Sequence, residues 1–161
     1  MATIKHTISA LVEDRPGVLN RMASLLRRRG FNIESIAVGS SELPNLSRMT
    51  IVINGTKTTV EQVRKQLDKV VNVVKATDIT GDNMIGRELA LIKVKATSAT
   101  RSEIMQIVDI FRANIVDVSN GSVTIEVTGD EDKITSLMEL LRTFGIKEIA
   151  RTGRIAMTRG V

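Results

Sequence analysis

Cysteine is absent from the 161 residues, and so are tryptophan and tyrosine. The first absence excludes disulfides and thiolate nucleophiles and fits a reducing compartment. The second leaves Phe31, Phe111 and Phe144 as the whole aromatic complement, so any core must be assembled from Ile, Val, Leu and Met. Histidine occurs once, at His6, and one imidazole without a thiol is a poor basis for a zinc or copper site. Neither a P-loop nor a G-x-G-x-x-G fingerprint is present. No stretch approaches the roughly 20 apolar residues of a membrane span. The first six residues carry no apolar run behind a basic segment, so a secretory signal is not expected either. A cytoplasmic location, with no membrane partner, is the expectation.

What the chain does have is enough apolar content, 42%, for a packed core, and enough length for one medium or two small domains. Its net charge of +5 raises the question of nucleic acid. The densest basic cluster, Arg27-Arg28-Arg29, ends a helical pattern and is followed by Gly30. Cations complement the helix dipole there and glycine closes the last turn, so a structural role is expected and no nucleic-acid partner.

The order of periodicities repeats. Residues 3–12 alternate, with Ile4, His6, Ile8, Ala10 and Val12 on one face of a half-buried strand. Residues 16–29 place Val18, Leu19, Met22, Leu25 and Leu26 on one helical face, with Pro16 in the first turn. "NIESIAVGS" (32–40) and "SRMTIVING" (47–55) are strands, Thr58 to Glu61 has capping-box spacing before a second helix, and "VVKATDIT" (73–80) closes the set. The second half runs the same way. Strand "ELALIKVKA" (88–96) precedes a helix opened by Thr100 to Glu103. "NIVDVS" and "SVTIEVT" flank the hairpin signal Asn120-Gly121. Asp130 caps a helix ended by Gly145, and "IKEIART" with the tail supplies the last strand. The fold class predicted is α+β, two tandem ferredoxin-like βαββαβ units, with domains at 1–80 and 81–161 and a linker at 81–86. In this topology "NIESIAVGS" lies at a sheet edge. It is apolar and lacks Pro and Lys, so two-fold pairing into a homodimer is expected.

That fold does not choose a function. His6 lies on the apolar face of its strand and is expected to pack there, not to act as a base. Asp130-Glu131-Asp132 at a helix start is expected to serve as N-cap and dipole complement, not as a cation site. An RNA-recognition reading needs sheet aromatics, and "SRMTIVI" and "ELALIKV" offer none. The junction "LVEDRPGVLNRM" (11–22) remains. Asp14 supplies a carboxylate for an ammonium group, and the first-turn amides after Pro16 and Gly17 suit a carboxylate. Together they could complement a zwitterionic α-amino acid. On chemistry alone, Asp14 and Gly17 could equally do no more than shape a turn.

The segment "EDRPGVLNRMASLLRRRGFNIESIAVGSSELPNLSRMTIVI" closely resembles the ACT domain of the small subunit of acetohydroxyacid synthase (acetolactate synthase), with "RRGFNIESIAVG" and "SRMTIV" its most specific parts. The resemblance continues through "LDKVVNVVKATDIT", "RELALIKV" and "IFRANIVDVS" to "EIARTGRIAMTRG". It implies that the first unit is an ACT domain. It also implies a regulatory protein without catalytic residues of its own, which stimulates a separate catalytic large subunit and confers feedback inhibition by valine, in some members also by leucine or isoleucine. Thiamine diphosphate, Mg²⁺ and FAD would belong to that catalytic partner and no cofactor to this chain. The effector site implied takes Asp14, Gly17 and Val18 from one protomer and Asn32 and Ile33 from its dimer partner. Asp14 stands where many relatives have Asn. An ACT-type amino-acid sensor for another partner is the alternative, with the RNA-binding module behind it.

Overall fold

Alternation and helical periodicity resolve into thirteen elements among the residues that the computed structural model describes, 4–81 and 83–160, with Arg28 described by its backbone alone. Residues 1–3, on which the expected lack of a secretory signal bears, and Asp82 of the expected linker lie outside them. The first six elements are β1 (Ile4–Glu13), α1 (Val18–Arg28), β2 (Ile33–Ser40), β3 (Leu46–Gly55), α2 (Lys57–Asp68) and β4 (Val73–Asp78). Then come β5 (Met84–Lys95), α3 (Arg101–Ile110), β6 (Asn114–Val118), β7 (Ser122–Gly129), α4 (Glu131–Arg142), β8 (Ile146–Arg151) and β9 (Ile155–Thr158). One antiparallel sheet has the order β2-β3-β1-β4 and the other β6-β7-β5-β8. Both are ferredoxin-like βαββαβ arrangements, as the alternation predicts.

In the first unit the inward face of β1 is the one expected. His6, Ile8, Ala10 and Val12 are buried, whereas Ile4 at the fraying end is half exposed. They face Ile53, Ile51 and Met49 of β3 through the register His6–Ile53, Ile8–Ile51 and Ala10–Met49. Val18, Met22 and Leu26 of α1 and Val60, Val63 and Leu67 of α2 close the core from above. Two expectations fail on α1. Leu19 is 48% exposed, because its position places it at the margin of the apolar stripe. Pro16 precedes the helix, which starts at Val18 with Gly17 as N-cap. The end of α1 follows expectation: Gly30, at φ +70°, donates to the Arg27 carbonyl (3.1 Å) and Phe31 to the Leu26 carbonyl (3.4 Å), the Schellman pattern that glycine favours.

Helix α2 is capped two residues earlier than Thr58. Thr56 Oγ1 accepts from the Thr59 amide at 3.2 Å. Helix α3 opens where expected, with Thr100 as N-cap, but the Thr100 side chain makes no capping bond; instead Thr97 Oγ1 accepts from the Thr100 amide (3.3 Å) and the Thr97 carbonyl accepts from Arg101 (2.9 Å). Asp130 caps α4 as expected, accepting from the Lys133 amide at 2.9 Å. The Asn120-Gly121 hairpin joins β6 to β7, with the Ser119 amide on the Ser122 carbonyl (2.8 Å). Ala90, Ile92 and Val94 of β5, Ile104 and Val108 of α3, Ile125 of β7, and Ile134, Leu137 and Leu141 of α4 form this unit's own core.

The ends of the second half depart from the reading. Strand β5 begins at Met84, inside the expected linker. The tail forms β9, a strand separate from β8, and the chain divides into one compact unit that runs to Ile85 and takes in the segment from Arg154 on, and another of Gly86–Gly153. Residues from Arg154 onward, grouped by sequence with the second domain, thus pack with the first. Arg154 Nη1 donates to Thr7 Oγ1 on β1 (3.1 Å), β9 lies against β1 and β3, and Ala156 is buried. Thr7 is 1% exposed although it stands on the face of β1 opposite the helices.

Candidate functional site

Strand β1 ends at Glu13, opposite Leu46 of β3, and the chain turns through Asp14 to Gly17 into α1. The Asp14 amide donates to the Asn45 carbonyl (2.8 Å), which ties the turn to the β2–β3 loop, and the Val18 amide donates to the Arg15 carbonyl (3.3 Å). Gly17 adopts φ +84° as N-cap, a left-handed conformation that glycine takes without strain. Its carbonyl accepts from the Arg21 amide at 2.9 Å, the first bond of the helical ladder.

Consequently the amides of Leu19 and Asn20 find no backbone or side-chain acceptor among the described residues. Two open donors at the positive end of a helix attract an anion. Neither the cap nor the first turn supplies a competing carboxylate: Gly17 has no side chain, and the turn holds no acidic residue. No atom of the described residues lies within 4 Å of where a Cβ on Gly17 would stand, so a ligand can come close. Asp14 is exposed and its carboxylate has no partner among the described residues, which leaves it available to a cation. Val18 is different: its side chain is 4% exposed and belongs to the core, so only its backbone borders the open space.

Asn32 and Ile33 stand elsewhere. Asn32 is exposed; its carbonyl accepts from the Asn54 amide (3.1 Å), and its carboxamide has no partner among the described residues. Ile33 is half-buried against the core and pairs with Ile53, which in turn pairs with His6. Seven residues of β1 separate His6 from the elbow, about 23 Å at strand rise. Within one chain, then, Asp14, Gly17 and Val18 come together, and Asn32 and Ile33 lie at the opposite end of the sheet.

Strand β2 is an edge, hydrogen-bonded among the described residues to β3 alone. Its Ile36 packs against the core while Val38, next on that face, remains 45% exposed. Lys5 bonds Glu34, the strand's one charge, at 3.2 Å. His6 is 5% exposed, neither ring nitrogen has a hydrogen-bond partner among the described residues, and the Asp78 carboxylate lies 3.8 Å away. It is packed on the helix-facing side of the sheet, as its position predicts. Among the described residues no group of three or more His, Asp or Glu side chains is placed to hold a metal ion, and no helix is long and apolar enough to cross a membrane. A shallow cavity of about 450 Å³ lies on the first unit's other sheet face, between Leu11, Arg48, Lys75 and Met157. None of the five expected site residues lines it.

Residues 8–75 match the family model of the AHAS small subunit-like ACT domain, and residues 87–160 that of the small subunit of acetolactate synthase. A probable acetolactate synthase small subunit of Archaeoglobus fulgidus is 56% identical over 157 residues, 98% of both chains. The chain belongs to the acetolactate synthase small-subunit family. Among other small subunits, that of Mycobacterium leprae is 52% identical over 96% of this chain and 92% of its own. The crystal structure of the Thermotoga maritima small subunit superposes with a TM-score of 0.90 at 46% identity, covering 98% of this chain and 99% of that one. The elbow therefore sits in an ACT domain, the first of the small subunit's two ferredoxin-like units.

One group near the elbow had no sequence signal. Asn72, in the turn between α2 and β4, is 9% exposed and bonds to both Arg21 and Glu13. Nothing in its local pattern separates it from an ordinary turn asparagine.

Proposed function

We propose that this chain is the regulatory, non-catalytic partner of an acetolactate synthase catalytic subunit. It binds valine at the ACT elbow, transmits feedback inhibition, and stimulates the catalytic subunit. The observation that carries the reading is the open N-terminus of α1, with two donor amides unmet, no acidic residue in the first turn and the exposed Asp14 carboxylate beside it. An α-amino acid carries the matching pair of charges: its carboxylate takes the amides and its ammonium takes Asp14.

Homodimerisation completes the site. Antiparallel pairing of two β2 edges sets the start of one strand beside the end of the other. Ser40, at the end of β2, pairs with Ser47, which pairs with Val12, next to the elbow. The partner strand's beginning is thus carried to the elbow end of the sheet, which is how Asn32 and Ile33 of the partner subunit would join Asp14, Gly17 and Val18. The half-exposed Val38 is what such pairing would cover. In this reading effector binding belongs to the N-terminal domain (1–80), and thiamine diphosphate, Mg²⁺ and FAD serve the catalytic partner.

Valine has about eight heavy atoms and a zwitterion to desolvate, so a net −4 to −6 kcal/mol, tens of micromolar to millimolar, is the expected order. Calorimetric titration with valine, leucine and isoleucine tests binding. Reconstituted acetolactate formation, with and without the chain and with and without valine, tests stimulation and inhibition. Saturable valine binding with no effect on any acetolactate synthase catalytic subunit would leave a sensor for another partner.

A further inference from the structure

Every residue of the elbow is exposed from Asp14 to Gly17, and a four-residue exposed turn does not by itself hold two charges' worth of ligand groups at fixed spacing. Its two ends, however, are held by one buried side chain. Asn72 Oδ1 accepts from Arg21 Nη1, its Nδ2 donates to Glu13 Oε2 at 3.1 Å, and its carbonyl accepts from the Glu13 amide at 2.8 Å. Glu13 is the last residue of β1 and immediately precedes Asp14. Arg21 lies in the first turn of α1, and its own amide holds the Gly17 carbonyl at 2.9 Å. Arg15, inside the elbow, closes the set with its Nε 3.0 Å from Glu13 Oε2.

From this geometry we infer that Asn72 is a positioning residue for the effector site. It fixes the separation between the Asp14 carboxylate and the amides at the start of α1, and so sets how well the elbow accepts an amino-acid zwitterion. Only a carboxamide meets both neighbours: its oxygen serves the guanidinium and its nitrogen serves the carboxylate. An aspartate would keep the first bond and set a second carboxylate against Glu13. A leucine would leave the Arg21 guanidinium unmatched and the Glu13 carboxylate with Arg15 alone. Because Asn72 itself lies in the α2–β4 turn, movement of that turn is conveyed to the elbow through these bonds. The inference rests on the elbow being the effector site.

Four proteins test it: wild type, Asn72→Asp, the double variant Asn72→Asp with Glu13→Gln, and Arg21→Met. Each is titrated with valine by calorimetry, its melting temperature recorded, and its stimulation of the catalytic subunit assayed without effector. Asn72→Asp is expected to weaken valine binding about tenfold or more while still stimulating the catalytic subunit. In the double variant the donor moves to position 13 and the acceptor stays at 72, so binding should return towards wild type. Arg21→Met keeps the backbone ladder, loses the side-chain bond, and should weaken binding in the same direction; it decides the matter if Asn72→Asp does not fold. Wild-type affinity in a folded Asn72→Asp or in Arg21→Met overturns the inference, as does a lowered melting temperature with unchanged affinity. Absence of valine, leucine and isoleucine binding in the wild-type protein overturns the elbow reading itself, and the positioning role with it.

Discussion

Substituting Gly17 separates the effect of charge at the elbow from the effect of backbone shape. At φ +84° an L-residue incurs strain of about 1–2 kcal/mol, offset by about 0.4–1 kcal/mol of lost freedom in the unfolded chain. No atom lies within 4 Å of the added Cβ, so steric cost adds nothing. Gly17→Ala should therefore lower stability by about 1 kcal/mol, a fall in melting temperature of roughly 4–8 °C for a domain of this size. Gly17→Asp should lose no more than that, since its carboxylate can accept from the open first-turn amides and complements the helix dipole. Ligand binding should divide the two variants sharply. A carboxylate about 5 Å from the effector's own carboxylate, in a half-solvated site, repels it by about 2–3 kcal/mol, roughly 30- to 150-fold in affinity. Calorimetry with valine on both variants, alongside thermal unfolding, reads both quantities. Equal loss in Gly17→Ala and Gly17→Asp would mean that backbone shape, not charge, governs the site. A folded Gly17→Asp with wild-type valine affinity would remove the elbow as the effector site and leave Gly17 as a turn former only.

Ala37→Lys places a cation on the free edge of β2, on the face paired with Thr50; the dimer should weaken at least about tenfold and valine binding with it, as measured by sedimentation, whereas Ile36 packs against the core and its replacement would confound folding with assembly. Arg112 ends α3 at φ +53°, where the first unit has Gly30, and its side chain is exposed. Arg112→Gly should stabilise the protein by about 0.5–1 kcal/mol in urea unfolding, the relief of strain exceeding the entropic cost; destabilisation would show that the side chain has a role of its own. The hydrogen bond from Arg64 holds the Glu61 carboxyl below its usual value of 4.5. Its contribution is therefore fully present above that value and is lost as pH falls through the lower, folded-state value. Glu61→Gln should be slightly less stable than wild type near neutral pH, with the difference vanishing in acid; a difference that grows on acidification would contradict the sign.

Inward faces were readable because burial on one side forces a period on the chain: Ile8, Ala10 and Val12 alternate, and Val18, Met22 and Leu26 recur every four residues. Edge position followed from topology once the two βαββαβ patterns were seen, since β2 and β6 have one neighbour each. At α3 Thr100 is the N-cap and lacks only the side-chain bond, whereas the cap of α2 lies two residues before Thr58 because threonines at 56, 58 and 59 all offer the same hydroxyl. The one that accepts is decided by where the preceding strand ends, and Thr56-x-x-Thr59 lacks the acidic partner that marks a capping box. Leu19 reads as inward because period alone cannot say how wide a stripe its neighbours cover. At the elbow, Asp14 and Gly17 were visible as residue types. The clamp on them was not, because Asn72 acquires its meaning from Glu13 and Arg21, each more than fifty positions away, brought to it by β4 pairing with β1. Strand β9 escaped for the same reason: four residues with one buried alanine carry too little pattern to announce where they dock.

That docking has a consequence for how the protein is made. Synthesis runs from the N-terminus and domains generally fold as they emerge, so a reading in which 1–80 is a self-contained domain would have the ACT half finished early. Here the segment from Arg154 on belongs to the first unit, and the whole of Gly86–Gly153 is translated before it appears. The unit synthesised first is completed last. Until then Thr7 lacks Arg154, and the face of β1 and β3 on which β9 settles stays open to other chains in a crowded nascent environment. A polypeptide that stopped before Arg154 would emerge with the unit of Gly86–Gly153 whole and the earlier one unfinished.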